Sequence, residues 1–496
     1  MSGHCRTATG TIRGVVATLV EVEVEVGPGL PTFAIVGLPD MAVQEARERV
    51  RSALRSSGYD VPNARIVVNL APGPLRKHGT GFDLPIAMGV LGATGQIAME
   101  RLRDAYSVGE LSLDGSVRCV SGMLAHAVAA REAGLPLVAP TSLEPVQTLT
   151  GLTAYALDHL SDLRRPAQIA RGSNPSQPSR AAKGLPDFAE VSGQALAVRA
   201  LLTAAAGGHN VLLIGPPGTG KTMLARRLPT ILPPLDGEER LQTALVHSVA
   251  GLPTAGIHAG ARPFRSPHHT ASTAGLVGGG SPPGPGEASL AHNGVLFLDE
   301  MPEFGPSCLQ SLRQPMEDGQ VTLVRADGRL TFPTRFSLVG AANPCPCGFL
   351  GDSDRPCQCT PTAVARYQSR IGGPLMDRID IVCSVWRPDP GRVLDGGSGQ
   401  TSAHLAGRVL EARSRASARG ETDATRLRGR ALFDACRLAA RTAESLEDLA
   451  RTHHLSGRGI TRLLRVSRTL ADLDDLDAVA MDHIAEALSY RWTEGT

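Results

Sequence analysis

The amino-acid sequence predicts an α/β protein with a mixed N-terminal domain, a central domain built on a parallel sheet, and a helical C-terminal domain. Three patterns support this prediction. Residues 20–26 alternate apolar and acidic side chains, as a half-buried strand does. Residues 211–222 and 294–300 each place a chemically distinctive segment directly after a short apolar strand. From residue 404 onward the pattern is helical.

Composition narrows the class of protein. The chain has 496 residues, enough for about three domains. Its 50 Lys and Arg nearly balance its 48 Asp and Glu, so no net charge indicates a nucleic-acid or membrane partner. The first residues lack a signal-peptide pattern, and no apolar run approaches the ~20 residues of a membrane span. We therefore expect a cytoplasmic protein without a membrane partner, whose cysteines are reduced unless they bind metal.

Residues 1–165 alternate between strand and helix patterns. After the strand at 20–26, Asp40 is placed to cap a helix that turns one apolar face to the core, formed by Val43, Ala46, Val50 and Leu54. We expect further strands at 66–70 and 135–139, further helices at 83–93 and 122–132, and an Asp-Gly hairpin at 111–117. The next stretch, 166–185, is rich in Ser, Pro, Gln and Arg without periodicity, which predicts a linker.

The segment 211–222 predicts a P-loop (Walker A) that binds the phosphates of ATP. Its glycines let backbone N–H groups converge on a polyphosphate, because side chains there would block the approach. Lys221 is placed to reach the β- and γ-phosphates, and Thr222 to bind Mg²⁺. The predicted nucleotide-binding residues are Gly215, Pro216, Pro217, Gly218, Thr219, Gly220, Lys221 and Thr222.

The segment 294–300 predicts the second half of the same site. We expect Asp299 to orient the Mg²⁺ shell and Glu300 to polarise the attacking water, as in-line phosphoryl transfer requires. A further strand at 336–340 leads to Asn343, which would sense the γ-phosphate beside these carboxylates. The alternative for Asn343 is an asparagine that caps a turn before Pro344.

Between these two segments, residues 262–293 are loaded with Gly, Pro, Ser and His. This stretch is too long for an idle connection in a compact domain, which favours a functional insertion. His268 and His269 are candidate metal ligands, but adjacent residues rarely converge on one ion. A mobile loop that faces a partner is the favoured interpretation.

Residues 345–359 contain two Cys-x-Cys pairs, Cys345 with Cys347 and Cys357 with Cys359. Four thiols within fifteen residues suit a tetrahedral Zn²⁺ site, which would order a loop of low apolar content. Cys-x-Cys is less usual than Cys-x₂-Cys in zinc sites. Free thiols or redox pairing therefore remain open.

Residues 321–332 predict a hairpin with its turn at 326–328, flanked by Arg325 and Arg329. A hairpin ahead of the next core strand resembles the presensor hairpin of ring helicases and magnesium chelatases, which points into a pore. Arg325 and Arg329 are then candidate DNA contacts. Solvated arginines on an ordinary turn are the alternative.

The order of these motifs, followed by Arg378 and Arg458, resembles an AAA+ ATPase of the helix-2-insert and presensor-hairpin group. The resemblance to the ComM/YifB family of magnesium-chelatase-like proteins covers nearly the whole chain. It includes residues 33–40 and 77–85, which resemble the family's Lon-protease-like (ribosomal S5 domain 2-like) domain. A Lon-type peptidase needs a serine and a lysine, and the segment after Lys77 offers only Thr80. Peptidase activity is therefore not expected.

The resemblance implies a homo-hexameric ring that hydrolyses ATP with Mg²⁺ between subunits and drives branch migration of single-stranded or branched DNA in recombination or natural transformation. It implies that Arg378 reaches the neighbouring subunit's ATP, and that Arg458, rather than Arg462, contacts the γ-phosphate from a helical lid. An ion pair of Arg378 with Asp377 or Asp380, and a solvated Arg458, are the structural alternatives.

The predicted domains are a Lon-protease-like domain over 1–165, a linker over 166–185, an AAA+ core over 186–390 with the four-cysteine insert at 345–359, a linker over 391–403, and a helical lid over 404–496. Two other functions stay open. One is a chelatase-type remodelling ATPase that acts on a protein partner. The other is a scaffold with a decayed nucleotide site, which the presence of Lys221, Thr222, Asp299 and Glu300 disfavours.

Overall fold

The structure is a computed structural model that describes residues 3–99, 102, 104–141, 149–165, 186–325, 328–371, 375–388, 391, 399–421 and 427–491. The chain forms two compact units. The first contains residues 1–181 together with 237–260 and 322–332, and the second contains 182–236, 261–321 and 333–496. The predicted linker at 166–185 lies outside the described residues, as do 392–398 of the linker predicted at 391–403.

The strands, in chain order, are β1 (Gly3–Arg13), β2 (Val16–Gly27), β3 (Thr32–Val36), β4 (Arg65–Ala71), β5 (Tyr106–Ser107), β6 (Glu110–Leu111), β7 (Val117–Arg118), β8 (Leu137–Ala139), β9 (Ala154–Ala156), β10 (Val211–Ile214), β11 (Phe264–Arg265), β12 (Gly278–Gly279), β13 (Gly284–Pro285), β14 (Gly294–Leu298), β15 (Gln320–Arg325), β16 (Gly328–Pro333), β17 (Phe336–Ala342) and β18 (Ile381–Ser384).

The helices, in chain order, are α1 (Met41–Ser56), α2 (Asp83–Ala93), α3 (Met123–Glu132), α4 (Ala195–Gly207), α5 (Lys221–Arg227), α6 (Gly237–Val249), α7 (Ala255–His258), α8 (Thr273–Val277), α9 (Glu287–Leu290), α10 (Pro306–Ser311), α11 (Arg313–Asp318), α12 (Pro361–Ile371), α13 (Ser402–Ala418), α14 (Gly429–Cys436), α15 (Ala440–Thr452), α16 (Gly457–Leu473) and α17 (Met481–Ser489). Among the described residues, no helix combines the length and apolar character needed to cross a membrane.

The first unit is built on a seven-stranded mixed sheet in the order β3-β4-β2-β1-β5-β8-β9. In β2, Val20, Val22, Val24 and Val26 are buried, so the predicted alternation is confirmed. The predicted cap of α1 is confirmed too, because Asp40 Oδ1 accepts a hydrogen bond of 2.8 Å from the Val43 N–H. The predicted Asp-Gly hairpin is formed by β6 and β7, which pair antiparallel.

Lys77 has a structural role in this unit. Its side chain is buried, and its ammonium donates to the carbonyl oxygens of Leu70 and Pro72 at the end of β4. Burial lowers the pKa of Lys77. The Thr80 hydroxyl donates to Glu110 instead. The ammonium of Lys77 therefore holds the backbone carbonyls at the end of β4.

The second unit is built on a five-stranded sheet in the order β11-β14-β17-β10-β18. Its strand pairs are parallel throughout. Strands β10 and β14 are aligned with each other on either side of β17, because Leu212 of β10 and Leu298 of β14 both lie opposite Gly340. The carboxyl ends of β10, β14 and β17 therefore meet at one edge, where ligands bind in open parallel sheets. The predicted α/β core with a parallel sheet is confirmed.

The C-terminal helices α13 to α17 pack against this core. Thr401 caps α13, because its hydroxyl accepts a hydrogen bond from the His404 N–H at 3.2 Å. Helix α16 lies at the centre of the lid and buries an apolar face around Leu463, Leu464 and Leu470. The predicted helical C-terminal region is confirmed over its described residues.

Candidate nucleotide-binding site

The P-loop follows β10 with a backbone that requires glycine. Gly218 and Gly220 have φ angles of +79° and +87°, in the left-handed region that favours glycine. At Gly215 the constraint is space, since an added Cβ atom would lie 2.0 Å from the carbonyl oxygen of Val385. The loop ends at Lys221, the first residue of α5. Strand, loop and helix therefore have the arrangement that the sequence predicts.

Lys221 points back into the loop. Its ammonium donates to the carbonyl oxygens of Gly215 and Pro216 at 2.7 and 2.9 Å. Burial lowers the pKa of Lys221 to about 8, while the charges of Asp299 and Glu300 act in the opposite direction. A bound polyphosphate would stabilise the charged form, because a neighbouring anion raises the pKa of an ammonium.

Thr222 and Asp299 meet across the site. The Thr222 hydroxyl donates to Asp299 Oδ2 at 2.8 Å, although the two residues are 77 positions apart in the chain. Hydroxyl and carboxylate oxygens are ligands that Mg²⁺ prefers, so Thr222 and Asp299 would hold the ion, which would neutralise charge on a bound polyphosphate. This donor set fits the predicted Mg²⁺.

Glu300 and Asn343 complete the cluster at the carboxyl edge. The Oδ1 atom of Asn343 lies 3.3 Å from the Lys221 ammonium. Glu300 has a left-handed backbone (φ 49°, ψ 46°) and its side chain is 61% exposed. Such a backbone is uncommon for a residue with a side chain and clusters at functional sites. The structure therefore brings together Lys221, Thr222, Asp299, Glu300 and Asn343.

Arg378 lies at the opposite edge of the sheet. It lies three residues before the first residue of β18, which runs parallel to β10, so it lies at the amino end of these strands. Four strand residues separate the two edges by about 13 Å. Asn210, just before β10, donates from Nδ2 to the Arg378 carbonyl oxygen at 2.9 Å. Arg378 therefore lies away from the nucleotide site of its own chain.

The ion-pair partner of Arg378 is Glu317 on α11. The sequence offers Asp377 and Asp380 as structural partners, but the ion pair that the structure shows is with Glu317. Asp380 is instead held by the backbone N–H of Asn210 at 3.1 Å. Burial lowers the pKa of Arg378, and the positive charges of Arg313 and Arg458 act in the same direction.

The structure places Arg458 beside Arg378 and not beside Lys221. Its side chain is 77% exposed, and its guanidinium lies 3.9 Å from Asp377. Arg462, one turn further along α16, donates to the carbonyl oxygens of Met376 at 3.0 Å and Ile379 at 2.9 Å. Arg462 thus holds both ends of the turn that carries Arg378, a function that the sequence analysis missed. The four-residue spacing was visible in the sequence, but the carbonyl partners were not.

Gln194 is a second residue that the sequence analysis missed. Its Nε2 donates to the carbonyl oxygen of Thr219 in the P-loop at 3.0 Å and to that of Trp386 at 2.8 Å. The side chain is buried. Gln194 therefore ties the P-loop to the chain that leaves β18.

The four predicted cysteines converge. The sulfur atoms of Cys345, Cys347, Cys357 and Cys359 all lie within 4.8 Å of one another, and none is in a disulfide. The contacts between the first three are 3.4 to 3.6 Å. Four thiolates at 2.3 Å from a central zinc ion would be spaced by roughly 3.8 Å. Backbone N–H groups of Phe349 and Gln358 lower the pKa of Cys347 to about 6, whereas burial raises the pKa of Cys345. The donor set fits Zn²⁺.

This four-cysteine loop packs against the P-loop. Gly348 has a φ of +85°, and a Cβ atom there would lie 2.7 Å from Cδ of Pro217. Cys345 follows Asn343 after a single proline. The loop therefore lies directly against the predicted phosphate-binding residues.

The predicted hairpin is formed by β15 and β16, which pair as a two-stranded sheet. Arg325 and Arg329 are both exposed, one on each strand. The turn residues 326 and 327 lie outside the described residues.

Comparisons with known proteins agree with this arrangement. Residues 187–392 match the family model described as magnesium chelatase, subunit ChlI. Residues 22–142 match the model for subunit ChlI of magnesium chelatase, and residues 399–491 match the model for its C-terminal region.

Full-length relatives decide the family. The chain is 42% identical to protein YifB of Salmonella typhimurium over 98% of its own length and 96% of that protein. It is 40% identical to the competence protein ComM of Haemophilus influenzae over 96% of its own length and 95% of that protein. The chain belongs to the ComM and YifB family of magnesium-chelatase-related proteins. The family match spans both units, so the N-terminal domain and the four-cysteine loop lie within the aligned length.

Glu300→Gln tests the chemistry of the site. The amide keeps the size of the side chain but cannot polarise water as a base, so ATP binding should persist while hydrolysis falls by about 10²- to 10⁴-fold. Glu303→Gln is the matched control, because Glu303 is a half-exposed carboxylate three residues further on that contacts Arg370. Fluorescent-nucleotide binding and steady-state ATPase assays measure the two effects. Hydrolysis at the parental rate in Glu300→Gln would refute the assignment.

Metal analysis tests the cysteine site. Protein purified under reducing conditions should contain about one zinc ion per chain. Cys347→Ser should lose it, whereas Cys119→Ser should retain it, since Cys119 is exposed and outside the cluster. Elemental analysis of the three proteins gives the ratio directly. If the parental protein contains no zinc, the proposed zinc site is wrong.

Proposed function

We propose that the chain is an ATPase that works as a homo-hexameric ring in the cytoplasm and moves branched or single-stranded DNA. The observation that carries the ATPase part is the convergence of Lys221, Thr222, Asp299, Glu300 and Asn343 at one edge of a parallel sheet. These are the group types that phosphoryl transfer to water requires.

Each residue has a separate task in this proposal. Lys221 neutralises the β- and γ-phosphates, and the P-loop N–H groups orient them. Thr222 and Asp299 would hold Mg²⁺, which when bound would neutralise charge on the phosphates. Glu300 accepts the proton of the attacking water, and Asn343 orients that water against the γ-phosphate. Catalysis of phosphoryl transfer comes mainly from positioning and electrostatic stabilisation, so most of the rate acceleration would depend on the geometry of these residues.

The ring part of the proposal depends on Arg378. Its side chain begins at the amino edge of the sheet, about 13 Å from the phosphate edge, and its turn is fastened by Asn210 and Arg462. An arginine held in this way acts on ATP only if it belongs to a neighbouring copy. On assembly, Arg378 would exchange Glu317 for the γ-phosphate, and the nearby Arg458 would approach the same phosphate.

DNA as the substrate is supported by the family and by the hairpin. The relative from Haemophilus influenzae is named a competence protein. Branch migration in recombination or transformation is the activity that the ComM/YifB resemblance implies. Arg325 and Arg329 supply two exposed cations on one hairpin, the kind of group that contacts backbone phosphates.

A second candidate is a chelatase-type ATPase that remodels a protein partner. The match of residues 187–392 to the magnesium chelatase subunit ChlI favours it. Both candidates share the nucleotide site. They differ in whether DNA or a protein accelerates hydrolysis.

Mixing two inactive variants tests the shared site. Lys221→Ala should lose nucleotide binding, and Arg378→Ala should lose about 10³-fold or more in hydrolysis. In mixed rings, about a quarter of the interfaces would combine an intact P-loop with an intact arginine, so activity should return. ATPase rates of the separate and mixed proteins give the answer. Failure to recover activity in rings shown to contain both variants would place Arg378 outside the neighbour's site.

DNA binding tests the substrate. Single-stranded DNA should bind with a strong salt dependence and stimulate hydrolysis. Replacing Arg325 and Arg329 with Ala should reduce the slope of log affinity against log salt by about 0.7 for each lost phosphate contact.

The control for this experiment is the double variant Arg430→Ala and Arg451→Ala, which removes the same charge from exposed positions on lid helices. An equal loss of slope in both double variants would mean that net charge, not the hairpin, is responsible. A parental ATPase that is indifferent to every DNA form would favour the protein-remodelling candidate.

A further inference from the structure

A cavity of about 140 Å³ lies beside the turn that carries Arg378. Its walls come from that turn, from β18 and from the lid helices α16 and α17, all of which belong to the second unit. Pockets for drug-sized ligands have roughly 300–1,000 Å³, whereas an engineered cavity of about 150 Å³ in another protein holds a benzene ring. The cavity therefore suits a ligand of about six non-hydrogen atoms.

Two arginines line this cavity, Arg462 and Arg491. Arg462 uses its Nη1 atom to donate to the carbonyl oxygens of Met376 and Ile379. The Nη1 atom of Arg491 is buried and has no hydrogen-bond partner among the described residues. A buried charged donor without an acceptor is costly, so such a group in a native protein indicates a water, an ion or a ligand that accepts from it.

The electrostatics favour an anion as this acceptor. Burial lowers the pKa of Arg491, and the positive charge of Arg462 acts in the same direction. Arg491 also lies against the first turn of α16, because a Cβ atom added at Gly459 would lie 3.5 Å from its Nη1 atom. The amino end of a helix carries partial positive charge. Three sources of positive charge therefore meet at the cavity, and one shared anion would relieve their repulsion.

The acidic side chains on the cavity wall are engaged elsewhere. Asp380 accepts a hydrogen bond from the N–H of Asn210 at 3.1 Å. Asp377 is exposed and lies 3.9 Å from Arg458. Within the part of the chain that the structure describes, neither carboxylate forms an ion pair with Arg491. The guanidinium of Arg491 is therefore not neutralised by the acids that line the cavity with it.

The backbone holds Arg491 in place. The carbonyl oxygen of the preceding residue, Tyr490, accepts from the Val382 N–H of β18 at 2.7 Å. Arg462 is fixed by its two hydrogen bonds to the turn of Arg378. Both guanidiniums thus start from ordered positions, so less conformational entropy is lost when a ligand binds between lid and turn.

We propose that this cavity is a binding site for a phosphate group, held by Arg462 and Arg491. A phosphate group fits the volume, and its oxygens accept from several arginine N–H groups at once. A whole nucleotide exceeds the volume, so the group comes either from free inorganic phosphate or from a nucleic-acid backbone whose remainder stays outside. Because Arg462 also holds the turn of Arg378, a bound phosphate would join that turn to the end of the lid.

This site is separate from the P-loop, which lies at the carboxyl edge of the sheet. It goes beyond the proposed function, because it requires neither ATP hydrolysis nor a ring. Phosphate binding can therefore be measured without an ATPase assay.

A ³¹P NMR titration with inorganic phosphate at constant ionic strength tests the site. The background is Lys221→Ala, which removes the phosphate binding expected at the P-loop. This protein should bind one phosphate per chain with a Kd on the order of 1 mM, the affinity of a few charge-assisted hydrogen bonds. Adding Arg491→Gln should weaken binding about 10- to 100-fold, the effect of losing one hydrogen bond to a charged group. Adding Arg430→Gln is the matched control and should leave the affinity unchanged, because Arg430 is an exposed arginine of α14 outside the cavity.

A single-stranded oligonucleotide added to the phosphate complex identifies the source of the group. Displacement of the phosphate would assign the site to a nucleic-acid backbone. Retention of the phosphate would assign it to the free ion.

Three outcomes would overturn the proposal. They are no phosphate binding by Lys221→Ala, an unchanged affinity after Arg491→Gln, or an equal loss of affinity after Arg430→Gln, which would mean that net charge attracts the ion. Circular dichroism checks that each variant folds. If Arg491→Gln does not fold, Arg491→Lys takes its place. Its ammonium keeps the charge but lacks the planar fork, so the affinity should still fall several-fold, and an unchanged affinity would equally refute the site.

Discussion

The parallel pairing of β10 with β17, and of β17 with β14, is the constraint on which the nucleotide site depends. Each strand ends in a different functional group: the P-loop after β10, the two carboxylates after β14, and Asn343 after β17. Parallel strands bring their carboxyl ends to one edge, so three segments that are distant in sequence deliver their side chains to one place. This pairing brings the Thr222 hydroxyl to 2.8 Å from Asp299 and the Lys221 ammonium to 3.3 Å from Asn343.

The same sheet separates two kinds of function. The predicted phosphate-binding groups lie at its carboxyl edge, and Arg378 lies at its amino edge beside Arg458. Asn210 connects the strands at that second edge, since its Oδ1 accepts from the Leu338 N–H of β17 and its Nδ2 donates to the Arg378 carbonyl oxygen. A shift of β10 or β17 would therefore move the arginine turn as well. In the proposed ring, a shift of these strands at one nucleotide site would therefore move the Arg378 that reaches the next site.

The four-cysteine loop extends the site on its outer side. It begins two residues after Asn343, and Gly348 packs closely on Pro217 of the P-loop. Four thiols converge at the centre of this loop. A metal ion bound by them would order a loop that has little apolar surface of its own. The backbone N–H groups that stabilise the Cys347 thiolate would favour metal binding there and so help to keep the P-loop and Asn343 in register.

The sequence by itself determined the elements of this protein and most residues of its candidate site. Residue spacing was enough to predict the helix capped by Asp40, the strand of alternating valines, the P-loop, the carboxylates of the second segment and the cluster of four cysteines. These features depend on local periodicity or on conformations that only glycine adopts readily, and both are visible in a single chain. The tertiary structure alone decided which distant groups meet. It placed His269 3.8 Å from Glu300, Arg462 on the turn of Arg378, Gln194 on the P-loop, and Arg458 at the edge away from Lys221. No local pattern contains those contacts, because strand order and helix packing determine them.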